Sequence, residues 1–335
     1  MKRFYLVLLA LISLSASVFA DGLTATLQQG DVMTPFYGVE AFKDAYAAAK
    51  DGAVITLSSG KFNDVEKVAK QITVIGAYAF KPESSETTFL GSTQITADNV
   101  KIEGVYFSGD VRLSSIRDTI ENFVIKRCWV DGFLTGSEGY NKNTIVDQCV
   151  IKTDNAIQHG LNYCIKNSTI DRFLNYNEES YMAYITNCVV WRWCNYANNN
   201  TSTSRPYAVY KNNYLGIVMP GDNYRTLSIY SGSEFYNNRF FTARPSTIDH
   251  LTLEFQTGCV NEKNAKAGYL PTEKFLEYPA YPTYRTVGSD GTPIGPYGGT
   301  GFSEYPAIPR ITSKSIDANS DAEGKINVKI TVKAE

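Results

Sequence analysis

Histidine is almost absent from this chain: His159 and His250 are the only two in 335 residues. A zinc centre built from several imidazoles is therefore excluded, and no Cys-x-x-Cys spacing among the six cysteines offers a zinc knot. An excess of one charge is missing too. With 32 Lys and Arg against 34 Asp and Glu, no whole-chain field draws the protein to nucleic acid or to an acidic polymer, although local stripes can still do so. Beyond the N-terminus no stretch approaches the ~20 apolar residues of a membrane span. There is no phosphate-cradling glycine loop and no Gly-x-Ser-x-Gly elbow.

The N-terminus does carry an apolar run. Lys2 and Arg3 precede Phe4 to Leu14, and Val18-Phe19-Ala20 places small residues where a signal peptidase cuts, so residues 1–20 read as a secretory signal and the mature chain as starting at Asp21. Because residue 21 is not a cysteine, a lipid-anchored form is not supported. The expected location is periplasmic, cell-surface or extracellular.

What the chain has in abundance is repetition. Val124-Ile125-Lys126-Arg127-Cys128-Trp129-Val130, Ile145-Val146-Asp147-Gln148-Cys149-Val150-Ile151, Cys164-Ile165-Lys166-Asn167-Ser168-Thr169-Ile170 and Tyr184-Ile185-Thr186-Asn187-Cys188-Val189-Val190 align without gaps. Val209 to Leu215 and Glu234 to Phe240 continue the series, and weaker copies run through Val74 and Ile102. One column reads Gly76, Gly104, Arg127, Gln148, Asn167, Asn187, Asn212, Asn237, a variable period of about two dozen residues that marks a solenoid. Two flanking columns are apolar and rich in β-branched and aromatic residues, which favours short strands. Between them, Asn and Gly tolerate the left-handed backbone that turns one strand into the next. The repeat therefore predicts stacked parallel strands ~4.8 Å apart.

These apolar-x-Asn-(Asn/Cys)-x-apolar rungs resemble the pectin-lyase-like right-handed parallel β-helix superfamily over roughly residues 35 to 245. So does Val39 to Ala49 followed by Asp51-Gly52-Ala53-Val54-Ile55-Thr56-Leu57, since a short helix caps the coil in that superfamily. Ile294-Gly295-Pro296-Tyr297-Gly298-Gly299-Thr300-Gly301-Phe302 with Pro306 to Ile311 resembles secreted β-helix proteins of gut Bacteroidetes. The expected fold is all-β: a right-handed parallel β-helix with an N-terminal helical cap and a short C-terminal β segment. The expected division is residues 21–285 for the helix with its cap and irregular flank, and 286–335 for the C-terminal β segment. A terminal strand in Ile326 to Val332 would cover the open edge of the coil.

Exported chains with six cysteines invite a disulfide reading, but Cys128, Cys149 and Cys188 share one column with Ser168 in the missing place. Stacked Cβ atoms stay near ~4.8 Å, beyond the ~3.5 to 4.5 Å of a disulfide, so the column reads as buried free thiols. Glu103, Lys126, Asp147, Lys166, Thr186 and Lys211 form an outward column of alternating sign, read as a solvated face that keeps register.

One flank carries candidate chemistry. Asp131, Lys152, Asp171 and Trp191 follow the second apolar column in one line, with Arg172 beside Arg192, and Asp154 and Trp193 close by. Carboxylates, cations and aromatics gathered there suit an acidic glycan, or a sugar with Ca²⁺ as a candidate cofactor; an ordinary charged turn ladder is the competing reading. The resemblance implies two reactions on uronic-acid-containing glycans. A lyase would take its base from Arg172, Arg192 or Lys152, and a hydrolase would need paired carboxylates. Lys152-Thr153-Asp154-Asn155 with His159-Gly160 is similar to the Asn-Thr-Asp and Gly-His-Gly signatures of polygalacturonases, but Lys152 and Gln158 replace the leading Asn and Gly. Trp129-Val130-Asp131-Gly132 is similar to the Trp-Ile-Asp-His of pectate lyases without its His. Catalytic residues and a protein metal site are thus left unassigned. The expectation is a monomer that binds a polysaccharide or cell-surface glycan, with no nucleic-acid partner; the alternative is a non-catalytic structural or adhesive surface protein.

Overall fold

The computed structural model describes residues 22–81, 85–113, 119–135, 141–152, 163–174, 182–194, 207–217, 234–242, 256–257, 260–262, 288–305, 309–316, 324–326 and 328–333. The chain forms a β-solenoid of stacked parallel strands with one helix near the N-terminus. Its first long sheet opens with the antiparallel pair Thr24–Gln29 and Val32–Tyr37. Ten parallel strands follow among the described residues: Val54–Leu57, Thr73–Ile75, Lys101–Glu103, Val124–Lys126, Ile145–Asp147, Tyr163–Lys166, Met182–Thr186, Tyr207–Lys211, Glu234–Tyr236 and Gln256–Thr257. All eight rungs aligned from the sequence are present, with one strand before them and one after. A second parallel sheet of ten runs from Gly60–Lys61 to Val260–Glu262, and a third of four ends at Leu134–Thr135.

Side-chain alternation explains why these rungs close around one core. Val74, Ile102, Ile125, Val146, Ile165, Ile185, Tyr210 and Phe235 point inward from the first sheet and are all buried, as are Phe107, Val130, Ile151, Ile170, Val190 and Leu215 from the second. Tyr210 and Phe235 stack with ring centroids 4.8 Å apart, so identical positions meet at the spacing of the strands themselves. The helix Ala41–Ala48 (α1) contributes Ala41, Phe42 and Ala45 to the same core. Its end is closed by Lys70, whose Nζ donates to the carbonyls of Tyr46, Ala47 and Ala49 at 2.7, 3.0 and 2.8 Å, a cation where the helix dipole is negative.

The bend between the two long sheets is left-handed where the sequence places it. Gly104, Arg127, Gln148, Asn167, Asn187, Asn212 and Asn237 have φ of 69°, 49°, 56°, 48°, 53°, 56° and 51°. Arg127 and Gln148 are costly choices there, and side-chain bonds hold them. Arg127 Nη1 donates to Glu103 at 2.6 Å and Nε to Gln148 Oε1 at 3.0 Å. Gly76 departs from the expectation: it is not left-handed, and its lack of a side chain serves close approach, because a Cβ there would stand against the carbonyl oxygen of Gly104. A second left-handed column, unforeseen in the sequence, lies at Asn99, Asn122 and Asn143, where each amide donates to the one before it at 3.0 and 3.1 Å.

The residue after each bend turns inward and forms a second ladder. Cys128, Cys149 and Cys188 are free and buried, as expected, and Ser168 stands among them. Asn213 and Asn238 continue the column. Each asparagine works in both directions: Asn213 Nδ2 donates to Ile185 O at 2.7 Å while its Oδ1 accepts the Cys188 N–H at 2.8 Å. Cysteine gives only the weaker half, as Cys149 Sγ reaches Ile125 O at 3.5 Å. Burial pushes the Cys128 and Cys188 thiols up to about 12 and Cys149 well above its usual range.

Residues 288–305 then run back over the outside of the coil as a strap. Gly295 N–H donates to Asn212 O at 2.9 Å, and Ser289 N–H to Asn212 Oδ1 at 3.1 Å. Asn167 Nδ2 donates to Pro296 O and Gly298 O at 2.8 and 2.6 Å, and Ser303 N–H to Gln148 Oε1 at 3.0 Å. Glycines let the strap lie this close: a Cβ on Gly299, itself at φ 59°, would stand against the Asn187 amide. At its far end Tyr78 donates its hydroxyl to Glu304 at 2.6 Å.

The C-terminal strand is real, but its expected role is corrected. Val328–Lys333 pairs antiparallel with Arg310–Ile316 in a separate two-stranded sheet, and among the described residues it is hydrogen-bonded to no strand of the two long sheets.

Candidate functional site

The outward positions of the second sheet begin the candidate flank. Phe89, Tyr106, Trp129, Val150, Thr169, Val189 and Tyr214 are in register on successive strands. All but Thr169 belong to a second apolar cluster outside the coil, covered by Tyr78, Ala79 and Phe80 from one loop and by Ile294, Phe302 and Tyr305 from the strap. Phe80 meets Trp129 and Phe302 edge-on, with centroids 6.2 and 5.1 Å apart.

Asp131 and Lys152, two of the predicted site residues, sit at the rim of this cluster. The Tyr106 hydroxyl donates to Asp131 Oδ2, and Trp129 Nε1–H donates to Oδ1 at 2.9 Å. Lys152 Nζ stands 3.8 Å from Asp131 and 4.7 Å from the Trp129 ring centroid. Asp131 and Lys152 stand side by side on neighbouring rungs. Each is already bound within the protein, so this end of the flank acts as a clasp that orients two aromatics.

Further along, backbone register brings the predicted residues together. On Thr169–Leu174 and Val189–Cys194, Arg172 pairs with Arg192 and Phe173 with Trp193, with Asp171 and Trp191 beside these pairs on the same strands. Asp154 lies outside the described residues, as do His159 and His250.

A site the sequence assigned to solvent is better defined. On the outer face of the first sheet the in-register column Glu103, Lys126, Asp147, Lys166, Thr186, Lys211, Tyr236 runs beside a second column, Lys101, Val124, Ile145, Cys164, Tyr184, Val209, Glu234. Asp147 has only 7% of its side chain exposed and its Oδ2 lies 3.7 Å from Lys126 and 3.5 Å from Lys166. Tyr184 and Tyr236 remain 44% and 36% exposed. Alternation of sign was legible in the sequence; the burial of the acid beneath its lysines was not. Among the described residues no group of three or more His, Cys, Asp or Glu is arranged to hold a metal ion, and no helix is long and apolar enough to cross a membrane.

Against this geometry, a scan of family models, a search of curated proteins and a search of solved structures each return no match to the chain.

Proposed function

We propose that the protein is a secreted β-helix that binds polysaccharide along a lateral face of its coil, with uronic-acid-containing glycans as the substrate class. The observation that carries this reading is the register of the second sheet, which repeats arginine on arginine and aromatic on aromatic at Arg172, Arg192, Phe173 and Trp193. A polymer repeats its groups along its length, and a solenoid repeats its own at the rung spacing, so the two match over several units. The signal-like residues 1–20 and the resemblance to the pectin-lyase-like superfamily support the same reading, the latter as analogy. Ca²⁺ belongs to the proposal as a bridging ion between carboxylates.

The test is a screen of the purified protein against uronic-acid polymers with and without Ca²⁺. An unsaturated, ultraviolet-absorbing product identifies a lyase, new reducing ends without it a hydrolase, and binding without turnover a non-catalytic module. The absence of binding and turnover across the panel removes the reading.

A structural or adhesive surface protein is the second reading, and one observation favours it. Val328, Ile330 and Val332 lie on one face of the C-terminal hairpin and are 56%, 52% and 56% exposed. A lone two-stranded hairpin is marginal in water, so such a face gains from a protein partner.

A further inference from the structure

The two long sheets offer two lateral faces, and the strap leaves only one of them open where side chains are described. On the first sheet, Tyr184 projects beside Thr186, and Lys166 and Lys211 are the in-register neighbours of Thr186 on either side. Stacking at ~4.8 Å per rung puts those two lysine positions about 10 Å apart along the coil, with the exposed tyrosine beside their midpoint. Tyr236 follows Lys211 in the same column.

We propose that this face docks an anionic polysaccharide lying across the rungs, with a sugar ring on Tyr184 and its acid groups on Lys166 and Lys211. The inference rests on the polysaccharide reading above and adds the face and the charge of the ligand. Formal charges on the face nearly cancel, but their depths do not. Asp147 is held beneath Lys126 and Lys166, which are 32% and 39% exposed, so the surface meets a ligand with ammonium groups outward. Glu103 is taken by Arg127, and the Tyr236 hydroxyl donates to Glu234 at 2.6 Å. The strap's Asp290 approaches Lys211 from the side. Its carboxyl, though desolvation raises it, is held below its usual value by Thr292 and by the Lys211 charge.

The spacing selects the occupant. A small anion needs donors that converge on one point, and lysines about 10 Å apart do not converge. A chain with an acid on successive or alternate sugars meets both. Its apolar ring faces then cover Tyr184, whose ring is apolar while its hydroxyl stays wet. Single-stranded nucleic acid also combines anions with stacking rings, but it draws on a broad positive field, and this chain carries a net charge of −2.

Calorimetric titration with polygalacturonate, its fully methyl-esterified counterpart and a single-stranded oligonucleotide, at low and high salt, tests the proposal. The acidic polymer is expected to bind, more weakly as salt rises, and the esterified polymer to lose most of that affinity. Tyr184→Ala and Lys211→Gln are each expected to weaken binding about tenfold, with unfolding midpoints unchanged, while Lys43→Gln on the exposed side of α1 leaves it intact. Loss in Arg172→Ala and Arg192→Ala with Tyr184→Ala silent overturns this face and keeps the polysaccharide reading. Equal affinity for acidic and esterified polymers overturns the role of the lysines, and preference for the oligonucleotide overturns the occupant. No binding to any acidic polysaccharide overturns both readings.

Discussion

The two long sheets share one interior and carry opposite exteriors. Outside the second sheet, Tyr106, Trp129 and Tyr214 are 8%, 2% and 3% exposed, because the loop at Tyr78 to Phe80 and a strap returning from later in the chain lie over their cluster. Outside the first, Tyr184 and Tyr236 stand in solvent among lysines. Neither sheet is intrinsically the outer one: both alternate inward and outward residues from similar rungs. The difference shows that a solenoid's lateral faces are assigned by what returns to cover them. One exterior has become a second core, and the other stays exposed.

The largest effect that would sharpen this contrast is a matched pair of truncations. Trp129→Ala is expected to cost ~3–5 kcal/mol by the cavity it opens under Phe80 and the donor it removes from Asp131, whereas Tyr184→Ala stays within ~0.5 kcal/mol. Urea unfolding of both variants measures the gap, and equal losses would break the comparison. Next comes Asn167→Ala, expected to cost ~1–3 kcal/mol because two strap carbonyls lose their donor. The strap region should then exchange its amide hydrogens faster while the inner strands stay protected; uniform loss of protection would show that strap and coil are one unit. Gly299→Ala adds a Cβ at positive φ and against Asn187, with an expected cost of ~1–2 kcal/mol in the same assay.

The smallest effect concerns the thiols. In the folded protein Cys128, Cys149 and Cys188 should resist a thiol reagent at pH 8 while the half-buried Cys164 reacts, as mapped by mass spectrometry. Burial raises these pKa values, so the stability gained by keeping the thiols neutral is whole below their ordinary value of 9.0. It is lost as pH climbs toward about 12. A urea midpoint constant over that interval would contradict their burial.

Much of the coil was legible in the sequence because its determinants are local and periodic. Val146 and Ile165 announce the core by position in the repeat, and Arg127 and Gln148 were placed at the bend by alignment although neither favours a left-handed backbone. Cys128, Cys149 and Cys188 were separated from disulfides by the same register. The strap was not legible. Its partners lie 129 to 155 residues away for Asn167 and Gln148, and Gly298 and Gly299 serve contact with a distant column rather than a turn of their own. The candidate flank shows the same division. Pairing of Arg172 with Arg192 followed from the rung spacing, but the donation from Trp129 and Tyr106 to Asp131 depends on side chains crossing between positions that the repeat keeps in separate columns. Gly76 was grouped with the bends by alignment, yet what it avoids is a neighbouring carbonyl.

Which face of the coil is covered separates the two sheets, and hydroxyl-radical footprinting of the folded protein, read by mass spectrometry at single residues, measures that directly. Tyr184 and Tyr236 are expected to oxidise at rates near those of the unfolded chain. Tyr106, Trp129 and Tyr214 should be protected until the protein unfolds. Comparable oxidation of Trp129 and Tyr184 in the folded state would mean that the strap does not seal the second sheet, and the assignment of the two faces would be wrong.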